Sequence, residues 1–132
     1  LAALVAPMKY IQLISNFKGT RAETFAGDPL PFIPAFKNVS TLRFKKNVFS
    51  TQLEWEGALS QNHVSSSFGE QKTPAYSIFN FRSGYQLPTE KGKWSINVGV
   101  ENIGNRYYRE HLDWGGIPRP GRNYYCSVDY RF

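Results

Sequence analysis

The chain has 132 residues and one cysteine, Cys126, which excludes an internal disulfide and any paired-thiol metal or redox motif. No apolar run approaches the ~18 residues that a spanning helix needs, so a membrane role would require strands. The net charge of +6, from 16 Lys and Arg against 10 acids, is dispersed; Lys45, Lys46, Lys72, Lys91 and Lys93 fall in predicted turns, where solvation explains them, and no nucleic-acid partner is expected.

The opening LAALVAP is too short for a signal peptide and lacks its basic stretch. It reads as a chain entered partway through a longer one. A first strand is expected from Met8 to Thr20, with Ile11, Leu13, Phe17 and Gly19 on one face and Gln12, Asn16, Lys18 and Thr20 on the other. Pro29, Pro31 and Pro34 cannot donate to a sheet ladder, so residues 21–37 read as a long loop. Asn38 to Lys46 form a second strand and the KKN at 45–47 a tight turn. In the third strand Phe49, Thr51, Leu53, Trp55, Gly57 and Leu59 alternate with Ser50, Gln52, Glu54, Glu56, Ala58 and Ser60. Two glutamates on one face exclude a dry core there, because unpaired buried carboxylates cost too much.

Residues 61–73 read as a polar loop. A fourth strand follows Pro74, with Phe79, Phe81, Tyr85 and Leu87 opposite in parity to Asn80, Arg82 and Gly84. After the short turn PTEKGK, Trp94, Ile96, Val98 and Val100 alternate with Ser95, Asn97, Gly99 and Glu101. A long loop from Asn102 to Pro120 leads to the last strand, where Arg122, Tyr124, Cys126, Val128, Tyr130 and Phe132 share one parity and Asn123, Tyr125, Ser127, Asp129 and Arg131 the other. The connections run long, short, long, short, long. An up-and-down antiparallel barrel across a membrane sorts its loops in this way, and a soluble sandwich has no reason to. The strands also exceed the soluble norm of about 5–6 residues and match the ~9–11 that cross a bilayer at a tilt.

The stretch NVGVENIGNRYYREHLDWGGIPRPGRNYYCSVDYRF resembles the C-terminal end of TonB-dependent outer-membrane receptors. There a strand ends in a pattern like xxVxNLFDxxYxxH, followed by a loop, a P-G-R turn into the last strand and a terminal aromatic. The matching residues are Val100, Glu101, Asn102, Ile103, Asn105, Tyr107, Tyr108, His111, Pro120, Gly121, Arg122 and Phe132. Ile103 and Gly104 stand where the family has Leu-Phe, and Asn105 where it has Asp. PLPFIP at 29–34 and TPAYSIFNFRSGY at 73–85 also look like this family. The resemblance implies an all-β, antiparallel up-and-down transmembrane barrel of about 22 strands, of which about six would lie in this chain. The plug domain and the region that contacts TonB would lie elsewhere.

What the resemblance implies for function is active uptake across a Gram-negative outer membrane. The cargo would be a ferric siderophore, haem, cobalamin or another metal complex, and the energy would come from TonB with its ExbB and ExbD partners through the N-terminal part of the receptor. Further partners would be outer-membrane lipid, the remaining strands and the plug, on the same or another chain. Val128, Tyr130 and Phe132 would form the terminal signal read by the barrel-assembly machinery. Asn102, Tyr107, His111, Pro120, Gly121 and Arg122 would shape the last extracellular loop. Periodicity places Glu54, Glu56, Arg82, Glu101, Asp129 and Arg131 on the lumen side. His111, near Glu110 and Asp113, and His63 in another loop on the same side are the candidate metal ligands. No resident cofactor is expected, and no nucleophile, base and acid arrangement points to an enzyme. Two rival readings are a small self-contained barrel with a structural or adhesive role, completed by a strand from residues 1–7, and a soluble β-sandwich binding module.

Overall fold

The computed structural model describes residues 2–132, and of Ala2–Met8 and Trp114 the backbone alone. Seven strands form one sheet in chain order: β1 (Ala2–Met8), β2 (Ile11–Lys18), β3 (Lys37–Lys46), β4 (Phe49–Ala58), β5 (Tyr76–Thr89), β6 (Gly92–Glu101) and β7 (Asn123–Arg131). Every neighbouring pair is antiparallel. Two single 3-10 turns, Ser66–Phe68 and Trp114–Gly116, are the helical elements among the described residues.

Six strands were expected, and the seventh is β1. Its stretch does not alternate, so period-two reading passes over it, and the first expected strand was started at Met8. Met8 instead closes β1, and β2 begins after a turn at Lys9 and Tyr10. The β1–β2 register shifts between Val5 and Met8, where Pro7 supplies no N–H. Leu1, which the sequence reading grouped with these residues, lies outside the described residues. The strand that a self-contained barrel would need from this region is thus present, yet β1 and β7 stand at opposite edges of an open sheet.

The register converts each parity into a face. Leu13, Leu42, Leu53, Phe81, Val100 and Tyr124 are paired in succession across β2 to β7, forming one apolar row. One residue along, Ile14, Thr41, Glu54 and Asn80 form a mainly polar row on the other face. Leu13, Leu42, Leu53 and Phe81 are 39–48% exposed, whereas Thr41 and Asn80 are buried. Apolar out and polar in is the reverse of a sheet packed on a soluble core, and it is the order required when the outer solvent is lipid.

Aromatics gather at the ends of the apolar face. Toward the short turns Trp94 stacks on Tyr130 at 4.6 Å, Tyr130 lies 6.3 Å from Phe132 and Phe44 lies 6.3 Å from Phe49; toward the long loops stand Phe17, Trp55 and Phe79. The polar groups on this face bond among themselves, as a solvent without hydrogen bonds demands. Ser15 and Ser40 share a 2.7 Å hydroxyl bond, Asn38 Nδ2 donates to Ser15 Oγ at 3.0 Å, and Trp55 Nε1 donates to Ser77 Oγ at 2.7 Å. The short turns, 9–10, 47–48 and 90–91, fall at one end of the sheet and the long loops L1 (19–36), L2 (59–75) and L3 (102–122) at the other. The small core of Ala58, Tyr76 and Ile78, with Tyr108 packed on it, sits under those loops.

Candidate functional site at the loop end

Charged and polar groups from three strands and L3 meet where the polar face runs into the loops. Tyr76 Oη donates to Glu56 Oε1 at 2.8 Å, and Lys37 Nζ lies 2.8 Å from the same oxygen and 3.2 Å from Glu110 Oε1. The Tyr108 ring lies 4.5 Å from that of Tyr76, tilted by 39°. Arg119 forks onto Asp113, with Nε 2.9 Å from Oδ2 and Nη2 2.6 Å from Oδ1, and stands 3.7 Å from Glu110. Burial pushes the Asp113 carboxyl up, but the Arg119 fork and the Glu110 N–H outweigh it and hold Asp113 below the usual carboxylate range. The same fork raises Arg119. Burial, reinforced by the charge of Glu56, raises the Tyr108 phenol.

Glu70 joins the loops. One carboxylate oxygen accepts the N–H of Phe32 in L1, and the other accepts the N–H of Ser65 at 2.8 Å. His111 of L3 lies with Nε2 3.5 Å from Glu70 Oε1 and Nδ1 2.9 Å from Thr73 Oγ1. The side chains of Glu70 and His111 are only 6% and 4% exposed. Burial works to raise Glu70, and the two backbone donors with His111 reverse this, so its carboxyl is lowered. Both nitrogens of His111 therefore face protein partners. His63, the other candidate ligand, lies 3.0 Å from Glu23 and apart from His111. Among the described residues no group of three or more His, Cys, Asp or Glu is gathered for a metal ion.

The ENIGN segment turns the chain out of β6. Asn102 and Asn105 both have φ of 48°, a left-handed backbone that Asn tolerates better than most residues. Asn102 is 3% exposed. Its N–H donates to Asn80 Oδ1 at 2.8 Å, its Oδ1 accepts the Arg106 N–H at 2.8 Å, and its Nδ2 reaches the carbonyls of Arg106 and Pro120 at 2.8 and 3.3 Å. Asn105 Oδ1 accepts the Arg122 N–H at 2.9 Å, and a Cβ on Gly121 would come within 2.6 Å of that oxygen. Pro120 is thus brought to Asn102, and Gly121 and Arg122 to Asn105, whereas Tyr107 points outward, 80% exposed.

The six residues assigned to the lumen side all lie on the polar face. Arg82 is 3.8 Å from Glu54 and 3.7 Å from Glu101, and Asn80 Nδ2 donates to Glu54 at 3.0 Å. Asp129 and Arg131 face Ser95 and Lys93 at the short-turn end, remote from the loop cluster. Sequence reading did not single out Glu70, Thr73, Lys37, Tyr76 or Arg119, and it named Tyr108 only as part of the family-like pattern. Their contacts bridge as many as 73 residues, and periodicity assigns a side of the sheet but never a partner.

A cavity of about 660 Å³ lies between the strand tops and L3, with Lys18, Lys37, Tyr76, Arg109 and Glu110 among its lining. A second, of about 280 Å³, lies within the loops and is lined by Phe32, Glu70, Arg109, His111 and Asp113 among others. These are concave surfaces with mixed charge, suited to holding a polar ligand.

No family model matches the chain. Among solved structures it is similar to a copper transporter, OprC, with a TM-score of 0.88 at 20% identity over 99% of this chain. The likeness is one of fold. The chain spans 22% of the length of that protein, so it has the fold of a segment of transporter barrel, up-and-down and antiparallel throughout.

Proposed function

We propose that the chain is a stretch of wall and external loops from a Gram-negative outer-membrane transporter, one that takes up a scarce nutrient as a metal ion or metal chelate with energy delivered through TonB. The two-faced character of β2 to β7 carries this reading, since the exposed apolar rows need lipid and the charged and amide side chains of the opposite face need a wet lumen. The sorting of long loops to one end and the likeness to a copper transporter support it further. In this role the open edges of β1 and β7 are met by further strands, and the polar rows face a plug. His111 serves the loops rather than a metal.

The test is accumulation of radiolabelled copper, ferric-chelate and haem probes by cells making the whole protein. Uptake of one probe above that of cells lacking the protein, and its loss when TonB is removed, is the expected result. Accumulation that persists without TonB would overturn the energised mechanism. No accumulation of any of the probes would overturn the uptake of metals.

A further inference from the structure

L1, L2 and L3 are separate in sequence, and each is long enough to move alone. The only residue described above that bonds or faces polar groups from all three is Glu70. Its two oxygens take the N–H of Phe32 and the N–H of Ser65, and His111 stands against it while also bonding Thr73. The backbone of Phe32 has a φ of 60°, an outlier for a bulky aromatic, and such a conformation persists only where surrounding bonds over-determine it. The bond from Glu70 is the one that fixes this amide. On the far side of the carboxylate, Arg109, Glu110, His111 and Leu112 line both the 660 Å³ and the 280 Å³ cavities and so form the partition between them. That partition is held by polar contacts: Arg109 Nη2 donates to the Lys72 carbonyl at 3.1 Å, Glu110 meets Lys37, and His111 meets Thr73 and Glu70.

We propose that Glu70 is a clasp that makes the three long loops one cap, and that the 109–112 segment is a strap which the clasp, through His111, keeps closed between the two cavities. Releasing His111 alone loosens the strap, which Arg109 and Glu110 still tether. Releasing Glu70 loosens the strap and the Phe32 turn together. The grouping of the loops stands on these bonds alone. Its role as a gate for a transported ligand rests on the function proposed above.

Hydrogen exchange on the whole protein in detergent or vesicles tests the clasp without reference to transport. In Glu70→Ala, exchange is expected to rise about tenfold or more at Phe32, at Ser65 and across 108–113 together, the scale of losing a charge-assisted hydrogen bond. In His111→Gln it is expected to rise across 108–113 only, with Phe32 and Ser65 unchanged. Strand amides of β3 to β6 serve as the folding control, and a variant that perturbs them is replaced by Glu70→Gln, which keeps one acceptor oxygen and is expected to protect only one of the two amides. A rise confined to L2 in the Glu70 variants, or loops that loosen identically in Glu70→Ala and His111→Gln, would overturn the clasp. A clasp that behaves as expected in a protein that moves no metal would leave the device standing and remove the gating role.

Discussion

At Asn102 one side chain satisfies a loop and one backbone amide ties that loop to β5. The residue sits in the left-handed region, nearly free of solvent, and its amide side chain holds the carbonyls of Arg106 and Pro120 and the N–H of Arg106. Asn102→Ala strands these groups and adds backbone strain, and is expected to destabilise the whole protein by about 3 kcal/mol. Asn102→Gly loses the same bonds without the strain and is expected to recover about 1 kcal/mol of that loss. Chemical unfolding from vesicles reads both; equal losses would show that the left-handed backbone carries no cost here. The family-like pattern in the sequence pointed to Asn102, Pro120, Gly121 and Arg122 together, and asparagine's tolerance of positive φ accounts for why that residue type stands at 102 and again at 105. Glu70 was illegible by the same means. It follows a glycine in a polar loop, and nothing within ten residues of it announces Phe32 or His111 as neighbours.

A strand announces its faces more openly than its partners. The parity read in β2 and in β4 to β7 gives the faces those strands present, because the register keeps like beside like: Leu53 between Leu42 and Phe81, and Gln52 between Arg43 and Arg82; it ran past the strand ends at Gly19 and Thr20 and at Leu59 and Ser60, where nothing in the alternation marks a stop. β1 escaped because Ala2–Met8 is apolar on both parities and is interrupted by Pro7. The face assignment has a sharp consequence in β4. Leu53→Arg would set a cation among Leu42 and Phe81 on the outward face and is expected to cost about 2–4 kcal/mol, the scale for a basic residue near the bilayer midplane. Gln52→Arg, one residue away, is expected to cost less, about 1 kcal/mol at most, because it enters the wet side, where water screens its repulsion by Arg43 and Arg82. Unfolding midpoints of the two variants in lipid vesicles measure the contrast. Equal costs, or a larger cost for Gln52→Arg, would invert the faces and with them the membrane reading.

Taken as a whole, the seven strands form an open sheet whose first and last members do not pair. β1 and β7 each present a row of unpaired backbone groups at opposite edges, and in lipid each unsatisfied group costs several kcal/mol. Few of the buried groups are apolar, with a core of Ala58, Tyr76 and Ile78 beneath the loops, so water-driven collapse cannot substitute for closure. The 132 residues refolded alone into detergent or vesicles are therefore expected to yield aggregate through edge-to-edge pairing and no compact, heat-modifiable band in electrophoresis. The same residues within the whole protein are expected to give that band and to resist trypsin in β2 to β7 while L1 to L3 are cut. A compact, protease-resistant monomer formed by residues 1–132 alone would mean that β1 and β7 meet in solution, and would favour the small self-contained barrel over the transporter segment.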